Sequence, residues 1–353
     1  MKIIYIASSK SIHSARWIKF FALNNSERII WINTSNPNKE TINEFNELKN
    51  LVKIYTLKNG LDFIKIIFTL LFRKYNLIHI HYLGWHSLLS LFIRPNSNLI
   101  LTPWGSDLLI NNFGLKKLWL IFLFKRAKYV ICDSNRLKKA SIKLGAKIQQ
   151  ISVLMFGIDT NIYKSSRRIF SNKNKIIVGS NRKLETIYDV KTFLLAAKIL
   201  CKKRKDIKFL IAGDGTLKKE ISNFITKEKL KDKIDMLGLL NKEEMLDFYN
   251  NIDIYVSTSL SDGGLSSSTA EAMSFERVII ITNNSDNKLW IKNNKNGYLF
   301  RNKDHLELSK IIEKVINNKK DIKHLTLSAR NIIETKFSYE KEMNKVKKIY
   351  KSL

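Results

Sequence analysis

The stretch Ser259–Met273, SLSDGGLSSSTAEAM, combines residue types that suit a phosphorylated ligand. Asp262 and a run of small residues come first, and a helix-forming segment with Glu271 follows. A helix that begins after a Gly/Ser loop presents unpaired backbone N–H groups and the positive end of its dipole, which together favour phosphate. A carboxylate farther along that helix can accept from sugar hydroxyls. The pattern predicts a nucleotide diphosphate site; an ordinary strand–helix connection with a serine-rich loop is the alternative.

Two basic residues, Arg182 and Lys183, follow a predicted strand at Lys175–Gly179. A guanidinium at a strand end can bind a diphosphate through two parallel hydrogen bonds. Because the whole chain is rich in basic residues, a surface arginine is the alternative.

Gly213-Asp214-Gly215 separates a predicted strand from a predicted helix. It is similar to the start of a dinucleotide-binding fingerprint, but Lys218 stands where the third glycine belongs. A ligand contact and a tight turn for close helix–strand packing both remain open.

Three histidines and an aspartate of the first half could carry acid–base chemistry. His13 follows the first predicted strand, and His79 and His81 lie two apart on another, so that both face one side of it. A histidine at a strand end is a candidate general base, and a core histidine is the alternative. Asp107, in Trp104-Gly105-Ser106-Asp107, could support a base or cap a turn.

Alternating apolar runs and helical patterns must position these residues. They predict an α/β protein with two Rossmann-like doubly wound domains facing a cleft, which is the expected ligand site. The polar stretch Met155–Ser171 predicts the link between them. We expect domains at 1–157 and 158–336, and a final helix at 337–353 that packs back toward the first. The predicted strands are Lys2–Ala7, Arg28–Ile32, Val52–Leu57, Leu77–His81, Asn98–Thr102, Lys128–Asp133, Lys175–Gly179, Lys208–Gly213, Ile234–Leu237, Ile252–Val256, Val278–Thr282 and Gly297–Phe300.

The chain is strongly basic, with 62 Lys and Arg against 31 Asp and Glu and a formal net charge of +31. That charge favours an anionic partner: nucleic acid, an anionic lipid surface or a phosphorylated substrate. The basic residues are scattered and no nucleic-acid-binding motif is present, so we expect no nucleic-acid partner.

Two segments, Leu61–Lys74 and Leu118–Arg126, are apolar around most of their circumference and end in basic residues. A fully buried helix is the simpler interpretation for the first, and shallow contact with an anionic membrane is the alternative.

Other features indicate the compartment. No apolar run reaches the roughly 18 residues that span a bilayer, and no signal peptide precedes the first strand. Cys132 and Cys201 are expected to be buried and unpaired, and no zinc-site spacing is present. We expect a cytoplasmic protein, with peripheral contact at the inner face of the membrane left open.

In their order and spacing, the motifs together resemble a GT-B glycosyltransferase of family 4, over nearly the whole chain. The matching segments are HSARWIKFFA, LIHIH, LTPWGSD, CDSNRLKKASIKLGA, FGIDTNIYK, SNRKLETIYDV, IAGDGTLKKEI, MLGLL, SLSDGGLSSSTAEAM and NGYLF. The resemblance implies a retaining transfer of sugar without a metal or other cofactor. The nucleotide-sugar donor, with UDP or GDP, would bind the C-terminal domain. A saccharide or lipid-linked acceptor for lipopolysaccharide or other surface polysaccharide would bind the N-terminal one.

The resemblance also assigns individual residues. Glu271 matches the second, ribose-binding acid of the family's Glu-x7-Glu motif, whose first acid falls at Gly263, one residue after Asp262. Arg182 matches the phosphate-binding arginine. The lysine that usually follows falls at Ile187, which leaves Lys183 as a substitute. The predicted donor-binding set is Gly179, Arg182, Lys183, Gly213, Asp214, Gly215, Gly238, Asp262, Gly263, Gly264, Leu265, Ser266, Ser267 and Glu271.

The predicted catalytic set is His13, His81, Asp107, Arg182 and Glu271. Trp104 stands where many relatives carry histidine, so no single general base is assigned, and the diphosphate itself is the expected base. Two other classes remain open: a nucleotide-sugar 2-epimerase on the same fold, and a non-catalytic basic nucleic-acid-binding protein.

Overall fold

The computed structural model describes residues 1–109, 113–155, 157–171, 175–262, 265–284, 287–319 and 322–353. The chain divides into two compact units. The first unit comprises Met1–Phe156 and Lys341–Leu353, and the second unit comprises Gly157–Glu340.

The first unit is built on one parallel sheet. Its strands are β1 (Ile3–Ala7), β2 (Ile29–Asn33), β3 (Val52–Thr56), β4 (Leu77–His81), β5 (Asn98–Thr102), β6 (Tyr129–Cys132) and β7 (Ile151–Val153). They are arranged in the order β3-β2-β1-β4-β5-β6-β7. The helices are α1 (Ile12–Leu23), α2 (Lys39–Asn46), α3 (Gly60–Phe72), α4 (Ser106–Leu109), α5 (Gly114–Arg126) and α6 (Asn135–Lys143), with 3₁₀ segments at Trp85–Phe92 and Ile148–Gln150.

Successive side chains along these strands point to opposite faces of the sheet. Ile4 and Ile78 belong to a core cluster that includes Leu70 of α3 and Leu120 of α5. The next residues along, Tyr5 and His79, face the opposite side, where aromatic rings of α1 contact them. The apolar content of the strands therefore supplies both faces of a buried parallel sheet.

The second unit repeats the plan. Its strands are β8 (Ile176–Ser180), β9 (Ile207–Ala212), β10 (Ile234–Gly238), β11 (Ile254–Ser257), β12 (Val278–Thr282) and β13 (Tyr298–Phe300). The order is β10-β9-β8-β11-β12-β13. The helices are α7 (Val190–Lys203), α8 (Lys218–Lys227), α9 (Lys242–Asn251), α10 (Ser267–Ser274), α11 (Asn287–Trp290), α12 (His305–Asn317) and α13 (Ile322–Lys336). The last helix, α14 (Tyr339–Ser352), lies mostly in the first unit.

The two sheets confirm the predicted α/β class with two Rossmann-like units. In each sheet the strand order reverses at one point, between β1 and β4 in the first and between β8 and β11 in the second. Ligands of such sheets bind beyond the carboxyl ends of the strands at this point. The residues that follow these four strands are therefore the expected ligand-binding residues.

The structure also corrects the sequence analysis. The edge strand β7 was not predicted, because its three residues carry too little periodic signal. The prediction of a fully buried helix at 61–74 is wrong, since only Ile66, Thr69 and Leu70 of α3 are buried. Both cysteines are unpaired, but Cys201 is half-buried rather than buried.

Candidate active site

Arg182, just beyond β8, is held by three side chains. Its guanidinium pairs with the carboxylate of Asp262, and its Nη1 donates to Ser268 Oγ at 2.9 Å. Its Cζ lies 4.6 Å from the ring centroid of Tyr188. Burial lowers the pKa of Arg182, but the charge and hydrogen bond of Asp262, together with Tyr255 and Tyr188, outweigh burial and leave the pKa above its ordinary value. A charged guanidinium is thus fixed beside the start of α10.

Glu271 of α10 is fixed by a buried tyrosine. Tyr249 at the end of α9 donates from its hydroxyl to Glu271 Oε2 at 2.8 Å. Asn181 Nδ2 in turn donates to the Tyr249 hydroxyl at 2.6 Å. Burial, and then the negative charge of Glu271, raise the pKa of Tyr249 well above its ordinary value, so the hydroxyl keeps its proton.

Ser268 joins these two sets of contacts. Its Oγ accepts from Arg182, and its carbonyl oxygen lies 3.2 Å from the Tyr249 hydroxyl. The switch-point cluster of the second unit is therefore Asn181, Arg182, Tyr249, Asp262, Ser268 and Glu271. It brings one cation and two carboxylates to the carboxyl ends of β8 and β11, the groups that an anion next to a sugar would need.

The predicted donor-loop glycines support Arg182 by close packing. A Cβ at Gly213, whose φ is +128°, would lie 2.5 Å from the Arg182 carbonyl oxygen, and one at Gly215 would lie 2.5 Å from that of Leu184. A Cβ at Gly179, in β8, would lie 2.5 Å from the side chain of Ile252. Gly213 and Gly215 let their loop pass close to the backbone of residues 182–184, which matches the tight-turn alternative.

The remaining predicted donor residues have separate environments. Gly238 accepts from the Gly213 amide at 2.6 Å, and Asp214 pairs with Lys218 at 2.8 Å. Lys183 is exposed.

Three donor-loop residues lie at the start of α10. Ser266 caps the helix by accepting from the Thr269 amide. Leu265 is buried, and Ser267 is the first residue of the helix. Gly263 and Gly264 lie outside the described residues.

In the first unit, the structure brings His13, His81 and Asp107 together around Trp104. The Trp104 ring centroid lies 5.7 Å from that of His13 and 5.4 Å from that of His81. Asp107 accepts from the backbone amides of Trp104, Gly105 and Leu83 at 2.7–3.2 Å. Burial raises the pKa of Asp107. Its carboxylate thus organises the loops after β4 and β5, as the turn-capping alternative predicts.

His81 and its neighbour His79 belong to a buried hydrogen-bond network. His81 Nδ1 lies 3.0 Å from Ser14 Oγ. His79 Nδ1 lies 2.5 Å from the hydroxyl of Tyr350, a residue of α14. The Tyr350 hydroxyl also lies 3.1 Å from that of Tyr5. Burial lowers the pKa of His81 to about 3 and that of His13 to about 4, and it lowers that of His79 well below the ordinary value. These imidazoles are neutral at pH 7.

Among the residues that the structure describes, no group of three or more His, Cys, Asp or Glu could hold a metal ion. None of the helices in the described ranges has the length and apolar character needed to cross a bilayer.

Comparison with known families accounts for most of the chain. The family model for glycosyl transferases group 1 matches residues 161–332, and the model for glycosyl transferase 4-like proteins matches residues 2–134. The chain belongs to the group 1 glycosyltransferases. It is therefore a transferase rather than a non-catalytic binding protein.

Individual relatives of this glycosyltransferase are distant. Glycosyltransferase MJ1178 of Methanocaldococcus jannaschii is 26% identical over 79% of this chain and 76% of its own length. The UDP-Gal:alpha-D-GlcNAc-diphosphoundecaprenol alpha-1,3-galactosyltransferase of Escherichia coli is 27% identical over 66% of this chain and 62% of its own. The match to glycosyltransferase MJ1069 of M. jannaschii covers 60% of that protein's length.

Solved structures confirm the GT-B fold. Anabaena Alr3699/HepE in complex with UDP-glucose is matched over 100% of both chains with a TM-score of 0.81 and 19% identity. A glycosyltransferase from Rickettsia africae ESF-5 gives a TM-score of 0.81 and 19% identity over 99% of this chain and 98% of its own.

Sequence reasoning missed several residues of this glycosyltransferase's cluster. The sequence motifs assign no role to Asn181, Tyr249 or Ser268. The sequence holds a signal for Ser268, because this residue follows directly after the predicted donor residues Leu265–Ser267. It holds no signal for Tyr249, which lies in an ordinary helical pattern.

Proposed function

We propose that this glycosyltransferase moves a sugar from a UDP- or GDP-sugar to a saccharide or lipid-linked saccharide, with retention of configuration. The donor binds the second unit and the acceptor binds the first. The pathway is the assembly of lipopolysaccharide or another surface polysaccharide, at the inner face of the membrane. The names of the relatives above support UDP-linked donors and a lipid-linked acceptor, because UDP-Gal and diphosphoundecaprenol appear in them.

The observation that carries the proposal is the switch-point cluster. A guanidinium, the start of a helix and a tyrosine-fixed carboxylate lie at the carboxyl ends of β8 and β11. Arg182 would bind the diphosphate, and Glu271 would accept from ribose hydroxyls. No metal is required by this arrangement, since a guanidinium and helix N–H groups can offset the charge.

The reaction follows from where charge develops. The bond between the anomeric carbon and the diphosphate oxygen breaks, so negative charge grows on the diphosphate and positive charge on the sugar ring. Arg182 stabilises the leaving diphosphate more as that charge grows, which accelerates the step. The acceptor oxygen attacks from the face of the leaving group, which retains configuration.

The proton of the acceptor hydroxyl goes to the departing diphosphate. His81 and His13 are weak bases, because burial lowers their pKa values to about 3 and about 4. An efficient general base at neutral pH has a pKa near the operating pH. Both histidines therefore position the first unit's loops in this scheme rather than accept the proton.

A two-step assay tests the proposal. A thermal-shift screen of UDP-, GDP- and ADP-sugars should give its largest stabilisation with a UDP- or GDP-sugar. Incubation of that donor with lipid-linked saccharides should give a product whose anomeric configuration, read by NMR, matches the donor. An inverted product would contradict the proposed geometry of attack. Conversion of the donor to its 2-epimer without acceptor would indicate an epimerase instead.

A further inference from the structure

Exposed apolar side chains are concentrated in one part of the first unit. Between residues 61 and 122, fourteen large apolar side chains are exposed, against twelve in all the rest of the described chain. Thirteen of them lie on α3, on the segment Trp85–Phe92 and on α5 with the residue before it, and the fourteenth, Tyr82, follows β4. We call these exposed side chains the apolar face. Contiguous exposure of this kind marks an interaction site.

The three elements of the apolar face are neighbours. The rings of Phe63 in α3 and Phe92 are 5.9 Å apart and perpendicular. Trp119 Nε1 of α5 donates to Ser87 Oγ at 2.8 Å, and Arg126 donates to the carbonyl oxygen of Ser90. The face is therefore one surface and not three separate helix sides.

The core does not need these side chains. α3 and α5 bury Ile66, Leu70, Leu120 and Leu123 in the core cluster beneath the sheet. Their outer sides expose more apolar residues, such as Phe68 at 61%, Phe72 at 66% and Leu115 at 85%.

An ordinary surface helix of the same chain looks different. α8, KKEISNFITK, buries Ile221 and Ile225 and turns lysine, serine, asparagine and glutamate outward. α3 and α5 thus carry a second apolar side that a surface helix does not require.

The charges around the apolar face have one sign. Residues 57–128 contain ten Lys and Arg but only two acids, Asp62 and Asp107. Asp107 is buried among backbone amides, and Asp62 accepts from the Lys58 amide at the start of α3. Lys65, Arg73 and Lys117 are exposed beside the apolar side chains.

We propose that the apolar face docks on an anionic lipid surface. Aromatic and aliphatic side chains with adjacent Lys and Arg are the combination that binds at the boundary between headgroups and acyl chains. A second copy is a poor occupant, because a twofold interface pairs a surface with itself and would oppose the two sets of basic residues.

The apolar face also reaches the candidate acceptor site. Tyr82 and Trp85 follow β4 directly and are exposed, and Tyr82 OH lies 3.5 Å from Ser106 Oγ, beside Asp107. Docking would therefore bring the ends of β4 and β5 to the bilayer surface, where a lipid-linked acceptor is held. This last step rests on the proposed function, whereas docking itself does not.

Vesicle flotation of the full chain, without donor or acceptor, tests the docking. We expect flotation with vesicles of phosphatidylcholine and phosphatidylglycerol, less with phosphatidylcholine alone, and less at high salt. Tryptophan emission should shift to the blue on binding, because Trp85 is 62% exposed and the other five tryptophans are buried or half-buried. Absence of flotation with the anionic vesicles at low salt would overturn the proposal.

A paired set of variants locates the surface. Phe68→Ser with Phe72→Ser should weaken vesicle binding by about tenfold or more, because two exposed aromatic rings lose their apolar contact. The control is Leu239→Ser with Leu289→Ser in the second unit, at residues 75% and 62% exposed, and it should bind as wild type. Urea midpoints check that both variants fold. Equal loss in both would overturn the assignment, as would a wild-type dimer that the first variant dissociates.

Discussion

The two units of this glycosyltransferase place different kinds of side chains at the point where the strand order of each sheet reverses. In the first unit, the ends of β1 and β4 carry buried imidazoles, hydroxyls and aromatic rings, and the histidines there have lowered pKa values. In the second unit, the ends of β8 and β11 carry Arg182, paired with Asp262, and Glu271. Burial keeps the imidazoles of the first group neutral, while Asp262 and its neighbours keep the pKa of Arg182 above its ordinary value.

This difference separates two tasks. A leaving diphosphate needs fixed positive charge, which Arg182 offers in the second unit. The buried histidines of the first unit instead join neighbouring elements. His79 has Tyr350 of α14 and Thr102 of β5 at hydrogen-bond distance, and His81 has Ser14 of α1.

Loss of the guanidinium should have the largest effect. Arg182→Ala should lower kcat/KM for transfer by about 10²–10³, the usual cost of removing one electrostatic stabiliser of developing charge. Circular dichroism should show an intact fold. The control is Arg204→Ala, which removes an arginine paired with Asp206 outside the cluster and should retain activity. Full activity of Arg182→Ala would contradict the role given to positive charge in the second unit.

Acid should destabilise the first unit before the second. The unfolded chain protonates its histidines below pH about 6.5, but folded His81 does so only near its lowered pKa of about 3. Stability is therefore complete above pH 6.5 and is lost as the pH falls below it. His79 and His81 together account for up to about 3 kcal/mol per pH unit.

The second unit should respond only at lower pH. Its shifted carboxyl pKa values, such as those of Asp206 and Asp304, are lowered by hydrogen bonds, so their contribution is lost below the ordinary carboxyl range. Hydrogen–deuterium exchange resolved by segment, corrected for intrinsic rates, compares both units at pH 7.5 and 5.5. Equal loss of protection in the two units would contradict the account.

A smaller effect is expected from the tyrosine that fixes Glu271. Tyr249→Phe removes the hydroxyl that donates to Glu271, so the KM for donor should rise by about tenfold, roughly the value of one hydrogen bond to a charged group. The kcat should change little, since in the proposed function Tyr249 acts on the ribose only through Glu271. Tyr298→Phe in β13 is the control. A fall in kcat at constant KM would instead assign Tyr249 to the chemical step.

The smallest expected change is an increase in affinity for UDP. Asp262 occupies the guanidinium of Arg182, so a diphosphate must compete with it. Asp262→Asn should tighten binding of free UDP by roughly three- to tenfold, because the competing charge is removed. Asp206→Asn, which removes another arginine's partner, should leave it unchanged. Isothermal titration calorimetry measures both, and weaker UDP binding by Asp262→Asn would show that the carboxylate supports the ligand.

Much of the fold was predictable because apolar runs mark buried parallel strands. Leu77–His81, Asn98–Thr102 and Val278–Thr282 were predicted with the bounds that the structure has. Three-residue β7 was not, since a short edge strand leaves no periodic pattern.

The site was predictable only one residue at a time. Motif positions led to Arg182 and Glu271, but their contacts with Asp262 and Tyr249 join residues 80 and 22 apart in sequence. For α3, the sequence favoured a buried helix and left membrane contact as the alternative, because an all-apolar helix pattern cannot distinguish a buried helix from one with an unpartnered side.

A crystal structure of the full chain with bound UDP tests the central claim most directly. The account predicts diphosphate oxygens within about 2.7–3.2 Å of the Arg182 guanidinium nitrogens and a ribose hydroxyl at the Glu271 carboxylate. UDP bound away from both residues, or bound while Asp262 and Ser268 still occupy Arg182 as they do in the free protein, would contradict it.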